Sequence, residues 1–234
     1  MLHVQKVVKA FGHMAALDHC TLHVQSGSIT GIIGPNGSGK STLFNCISGV
    51  LRPTAGEIYL NKEGRQLALH RLKPYQIARL GVGRTFQLNR VFKRMSAVDN
   101  LLAVRFDRPR AGEMLHLVGL YHLKDHAAGL LSIGQQRLLE IARALMLNPS
   151  VVLLDEPASG VNPKMIQWLA EHIQSLRASH QVTFAIVEHN LKFILGISDM
   201  LYVLNAGRVI AQGAPSDIQS NPDVIEAYLG GHRV

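Results

Sequence analysis

Long apolar runs are missing from this chain of 234 residues: no stretch approaches the roughly eighteen that a membrane-crossing helix needs. The opening Met1-Leu2-His3-Val4-Gln5-Lys6 has no apolar secretory core, so a cytosolic chain is expected. Cysteine is almost absent. Cys20 and Cys46 form no metal-binding spacing, and Cys46, among Leu43, Phe44 and Ile47, reads as a small buried apolar residue. No disulfide is expected in a reducing compartment. Aromatics make up only 6% of the residues and are rarely interleaved with basic ones, so nucleic acid is not an expected partner. Acidic residues are also scarce, 16 against 24 Lys and Arg. The excess is local: residues 62–110 hold twelve Lys/Arg against Glu63, Asp99 and Asp107, a net +9, which leaves −1 for the rest. A solvated face is the plain reading of that segment, and an anionic membrane surface is the alternative.

What is present is enough for one domain with a sizeable core, since 47% of the residues are hydrophobic. Residues 2–9 and 20–25 read as strands of a β-rich opening section. Thr30 to Ile33 is a short apolar strand, followed by a helix from Ser41 to Val50 that stops near Gly49 and Pro53. Glu57 to Leu60 and Val82 to Phe86 read as extended, with a helix over Leu72 to Leu80 between them. From about 88 to 135 the pattern is of short helices and loops, with Arg108-Pro109-Arg110 as a breaker. Leu138, Leu139, Ala142 and Leu145 recur at helical spacing within Gln136 to Leu147. Val151 to Leu154 is fully apolar, as a central parallel strand should be. A helix over 163–178, strands at 182–187, 200–204 and 207–212, and a closing helix at 222–229 complete an alternating α/β order. No internal repeat or low-complexity tract is visible.

Three motifs carry chemistry. Gly34-Pro35-Asn36-Gly37-Ser38-Gly39-Lys40-Ser41, with Thr42 behind it, matches GxxxxGK[ST] between a strand and a helix. Its backbone N–H groups and the following helix end suit phosphate. Lys40 is placed to reach the β and γ phosphates, and Ser41 to ligate Mg²⁺. Asp155 ends the apolar strand, so its carboxylate emerges at the phosphate edge and suits Mg²⁺. Glu156 points elsewhere and suits orienting and deprotonating a water. Leu131-Ser132-Ile133-Gly134-Gln135-Gln136 is a turn feeding a helix, where Ser132, Gly134 and Gln135 could bind a second anion; Ser132 alone would be an ordinary helix cap.

A phosphate loop, then LSIGQQ, then an apolar strand ending in Asp155-Glu156 resembles the ABC-type ATPases over almost the whole chain. A small-molecule kinase would share the loop but has no use for LSIGQQ. The resemblance implies an α/β fold: a P-loop ATPase core with a β-rich N-terminal section and a small helical subdomain at about 88–140. It makes 1–234 a single ABC ATPase domain with a C-terminal extension at about 214–234. It implies ATP and Mg²⁺ as cofactors, and two subunits paired head to tail so that each signature caps the other's ATP. It implies further that Phe11 stacks on adenine, and that Gln87, after Val82-Gly83-Arg84-Thr85-Phe86, meets the metal and links chemistry to the membrane partner. His189 in Val187-Glu188-His189-Asn190 resembles the switch histidine at the γ-phosphate, and Ser159-Gly160-Val161-Asn162 the loop that crosses the dimer interface.

Gly134 to Leu145, Gly83 to Gln87 and Asn221 to Gly230 look like the branched-chain amino-acid importer branch. The function so implied is an ATPase energising an importer of branched-chain or other hydrophobic amino acids. Its partners would be hydrophobic permease subunits and a second ABC ATPase, at the cytoplasmic face of the inner membrane. A lipopolysaccharide or lipid exporter's ATPase, or a soluble non-transport ABC ATPase, are the alternatives. The chain departs from the family at Ile133, where a first glycine is common, and at Asn162 and Asn190, where aspartate is. The stretch 103–113 also looks shorter than in relatives.

Overall fold

The structure, a computed structural model, describes residues 1–85 and 91–229. β1 (Leu2–Phe11) and β2 (Met14–Val24) form a long antiparallel hairpin around Gly12-His13. β1 runs past its expected end and β2 begins well before its expected start, and register shifts between Val4 and Ala10 let them keep pairing. β3 (Ile29–Ile33) leads through the glycine-rich turn to α1 (Lys40–Ile47). β4 (Ala55–Lys62) pairs with β1, and β5 (Arg65–Ala68) pairs with β4 as an edge. β5 was not expected: Arg65-Gln66-Leu67-Ala68 is half polar, as befits an edge strand, and carries no apolar run.

α2 (Pro74–Leu80) and β6 (Val82–Arg84) bring the chain to the central sheet. α3 (Ala97–Leu102) and α4 (Arg108–Leu117) follow. Arg108-Pro109-Arg110, expected to break structure, instead opens α4. Pro109 lies in the first turn, where its missing N–H costs nothing, and Asp107 caps the Arg110 N–H at 3.1 Å. Next come α5 (Ile133–Leu145), β7 (Val151–Asp155), α6 (Pro163–His180), β8 (Phe184–Val187) and α7 (Leu191–Ile197). β9 (Met200–Asn205), β10 (Arg208–Gly213), α8 (Pro215–Gln219) and α9 (Pro222–Leu229) end the described chain. α7 and α8 were not expected from the sequence. Neither is long enough to display a period, and each is set by its start: an Asn190 cap on Phe193 N–H for α7 and Pro215 in the first turn for α8.

Among the described residues the strands make two sheets, ordered β2-β1-β4-β5 and β10-β9-β3-β8-β7-β6. In the second, β9, β3, β8, β7 and β6 run parallel, with β10 antiparallel at one edge. β3, β7 and β8 are buried along their whole length, which is why β7 reads as continuous apolar sequence. Val151 and Leu153 pack with α1 and the antiparallel sheet. Val152 and Leu154 pack into a second cluster with residues of α3, α4, α5, α6 and α7. The carboxyl ends of β3, β7 and β8 therefore meet at one sheet edge, and the motif residues follow directly from them.

Candidate functional site

β3 lies inside the parallel set, between β9 and β8, and the chain reverses immediately after it. The reversal needs glycine at Gly34, whose φ is 152° and where a Cβ would lie 2.0 Å from the Leu204 carbonyl. It needs it again at Gly39, the α1 N-cap, at φ 105°. No side chain caps α1 and its first turn holds no acid, so its N–H groups are left for an anion. Ser38 is buried; Asn36, Gly37 and Ser41 are exposed, with Pro35 and Thr42 partly so. Lys40 is buried and folds back over the loop, donating to the Gly34 and Pro35 carbonyls at 2.8 and 2.9 Å and to Ser38 Oγ at 3.3 Å. Burial lowers its pKa, opposed by the charges of Glu156 and Asp155.

Asp155 ends β7 with 4% of its surface exposed. Its Oδ2 accepts from Arg84 Nη2 at 3.1 Å. Arg84, on β6, also donates from Nη1 to Asn45 Oδ1 at 2.8 Å and Ser48 Oγ at 2.6 Å, which ties α1 to the end of β7. Asp155 Oδ1 is buried with no hydrogen-bond partner among the described residues. An orphaned carboxylate oxygen of this kind fits a hard cation or one of its waters, so Asp155, with the Ser41 hydroxyl, suits Mg²⁺. Burial raises the Asp155 pKa, and the Arg84 hydrogen bond and charge oppose the rise.

Glu156 stands in the left-handed region at φ 49°. For a residue other than glycine this costs on the order of 1–3 kcal/mol, and such strain collects at functional sites. The turn is held by the Glu156 N–H on the Val187 carbonyl at 2.9 Å and by the Ser159 N–H on the Glu156 carbonyl at 3.1 Å. It aims Glu156 Oε2 to within 3.7 Å of His189 Nδ1. The structure thus brings these two expected residues together, at ion-pair rather than hydrogen-bond range. Glu188, fully buried, lies as close to the same nitrogen and accepts three backbone N–H groups: Ala158 at 2.8 Å, His189 at 2.8 Å and Asn190 at 2.9 Å. Sequence reasoning missed both Arg84 and Glu188. The available signal was a charge flanking or ending an apolar strand at the motif edge, where water is not at hand.

Ser132 caps α5. Its hydroxyl accepts the Gln135 N–H at 3.3 Å while the Gln135 side chain accepts the Ser132 N–H at 2.9 Å. Gly134 is buried, and a Cβ there would sit 2.0 Å from Met165 Cγ. Its glycine is needed for close packing of α5 on α6; its φ is not positive. Ile133 opens α5 in ordinary helical conformation, 51% exposed, so the departure from glycine introduces no backbone conflict. Asn162 and Asn190 both serve as helix caps, at 3.0 and 3.1 Å, a role aspartate fills equally. Phe11 is 46% exposed at the end of β1, with the Lys9 ammonium 5.0 Å from its ring. Gln87 lies outside the described residues. The signature residues bond with one another, and among the described residues none of them bonds to the phosphate loop or Asp155.

A parallel sheet with a phosphate loop after an interior strand, and an acid pair ending the next strand but one, defines a P-loop nucleotide hydrolase. The comparisons narrow the class. The family model described as "ABC transporter" matches residues 17–159, and "Branched-chain amino acid ATP-binding cassette transporter" matches 208–234. The chain is 39% identical to the high-affinity branched-chain amino acid transport ATP-binding protein LivG of Salmonella typhimurium, over 98% of each chain. It is 40% identical to the corresponding protein BraF of Pseudomonas aeruginosa, again over 98% of each. The solved ADP conformation of an ATP-binding cassette of an ABC transporter matches at TM-score 0.89 and 35% identity, over 98% of each chain. A dimeric bacterial ABC transporter cassette matches at TM-score 0.80 and 26% identity, over 92% of this chain and 99% of that one. The chain belongs to the ABC transporter family and is an ATPase of that family. Among the described residues no helix is long and apolar enough to cross a membrane.

Proposed function

We propose that the chain is the ATP-hydrolysing subunit of an importer for branched-chain or other hydrophobic amino acids. It would work as one of a pair of cassettes beneath hydrophobic permease subunits at the cytoplasmic face of the membrane. The observation that carries the reading is the convergence of Lys40, Asp155, Glu156 and His189 at one sheet edge. The solute branch is supported by the C-terminal match over 208–234 and by the transport roles in the names of LivG and BraF. In this reading residues 88–140 form the helical unit that faces the permease, and about 214–234 the extension of this branch.

ATP enters over Phe11, whose half-exposed ring stacks on adenine. Its phosphates take backbone N–H groups between Asn36 and Thr42, and Lys40 exchanges the Gly34 and Pro35 carbonyls for β and γ oxygens. Ser41 and Asp155 would hold Mg²⁺, with Gln87 assigned to the same ion by its motif alone; bound there, it would supply neutralisation of phosphate charge. Glu156 orients a water and takes its proton as the new oxygen–phosphorus bond forms at the γ-phosphate. The β–γ bridge then breaks, leaving ADP and phosphate, while His189 contacts the γ-phosphate. Ser132, Gly134 and Gln135 cap the ATP of the partner cassette, in keeping with the dimeric arrangement named for a similar cassette. ATP favours the closed pair, and that differential affinity is what turns the permease.

The test is to purify the Glu156→Gln form with ATP from gently solubilised native membranes and identify what accompanies it. Two hydrophobic permeases and a second cassette are expected. A lipid-export permease would overturn the solute assignment, and the absence of any membrane chain would overturn the transport assignment.

A further inference from the structure

We propose that Glu188 is a positioning residue for hydrolysis: its buried carboxylate clips the strained Glu156 turn to the switch segment, so that base and sensor move together. The inference rests on reading Glu156 as the base. The turn is gripped at two points by the end of β8. Upstream, Glu156 N–H is bonded to the Val187 carbonyl. Downstream, Ala158 N–H leaves the turn to meet Glu188 Oε1 at 2.8 Å. The next residue in β8's path therefore secures the far side of the left-handed kink at Glu156.

The other oxygen does a different job. Oε2 accepts the N–H groups of His189 at 2.8 Å and Asn190 at 2.9 Å, and Asn190 in turn caps α7. One carboxylate thus joins the turn after β7 to the start of α7. It is fully buried, so water cannot substitute for any of the three donors. Three N–H bonds to an anion make a stiff joint. A displacement of His189 by a γ-phosphate would be passed to Glu156 through Glu188 rather than absorbed by the loops between them.

Because both oxygens accept, a glutamine satisfies one side only and turns its own N–H₂ toward donors on the other. Glu188→Gln in the full chain should lower kcat about tenfold or more while the ATP concentration at half-saturation moves less than about twofold. ATP-dependent dimers should accumulate, as expected for Glu156→Gln. Adding Glu188→Gln to Glu156→Gln should lower the single-turnover rate no further, because Glu188 acts through Glu156. A lesion that is only structural would instead lower ATP affinity and melting temperature together and multiply with Glu156→Gln; that result, or parental turnover, overturns the proposal. If Glu156→Gln itself turned over normally, the reading of the base would fail first. In the unaltered chain, hydrogen exchange gives an independent arm: peptides covering 156–162 and 188–190 should change protection in parallel when ATP binds, and independent changes count against the clip.

Discussion

Asp155 holds its charge against its surroundings. Burial raises its folded pKa above the unfolded value, and Arg84 reverses only part of that. A raised carboxyl pKa means that the folded chain binds the proton more tightly. The stabilising share of this group is complete below the unfolded pKa and is lost as pH rises through the folded one. At neutral pH without nucleotide the ionised side chain is therefore a cost, and the orphaned Oδ1 is its visible sign. Asp155→Asn should remove this group's loss of stability with rising pH, so the melting temperature of the nucleotide-free variant relative to the parent should rise as melts are run from pH 4 to pH 7. The same variant should lose hydrolysis by on the order of a hundredfold, the scale of removing one preorganised charge-stabilising group. A difference that stays constant or shrinks with pH would show that the Arg84 bond outweighs burial.

At the scale of elements, the signature helix does two things with few residues. Ser132 and Gln135 close its first turn, and Gly134 lets it lie against α6. A Cβ at Gly134 would collide with Met165 Cγ, close to that side chain's root, so the clash cannot be relieved by moving only its tip. Gly134→Ala should cost about 1–3 kcal/mol, the usual range for overpacking, read as a fall in thermal or denaturant midpoint. Met165→Ala should restore part of it in the double variant; additive losses would place the strain elsewhere. The elements that were legible in the sequence are those with a burial pattern to display. The apolar Val151 to Leu154, the spaced leucines of α5 and the loop–helix join at Lys40 all stand where expected. α7 and β5 were not legible, because seven and four residues show no period and are set by a cap and by pairing with β4. Within the site, Lys40, Asp155, Glu156 and His189 were read from motif order. Arg84 and Glu188 were not: a lone charge in Gly-Arg-Thr or Val-Glu-His looks solvated until the fold puts a sheet edge around it. The dual use of Ser132, cap and proposed ligand, cannot be separated by sequence because both roles ask for the same hydroxyl.

At the scale of the whole molecule, the phosphate loop and the signature turn are two separate helix starts, and among the described residues no bond joins them. The loop after β3 leaves the α1 N–H groups uncapped, whereas α5 satisfies its own first turn through Ser132 and Gln135. The first start is therefore the one left open in the monomer; in the proposed function the second is occupied only by the ATP of another subunit. This asymmetry gives Ser132→Arg a discriminating outcome. Ser132 is exposed, so an arginine there fits the monomer and costs it little beyond a helix cap, about 1 kcal/mol. In a closed pair it would project into the partner's nucleotide. ATP affinity measured on dilute monomer should stay within about twofold of the parent, since by this reading no contact to the monomer's own ATP is lost. ATP-dependent dimers in the Glu156→Gln background should disappear, and hydrolysis with them. If monomer affinity collapsed instead, both helix starts would be serving one nucleotide within one chain, and coupling would have to be sought inside the subunit rather than across a pair.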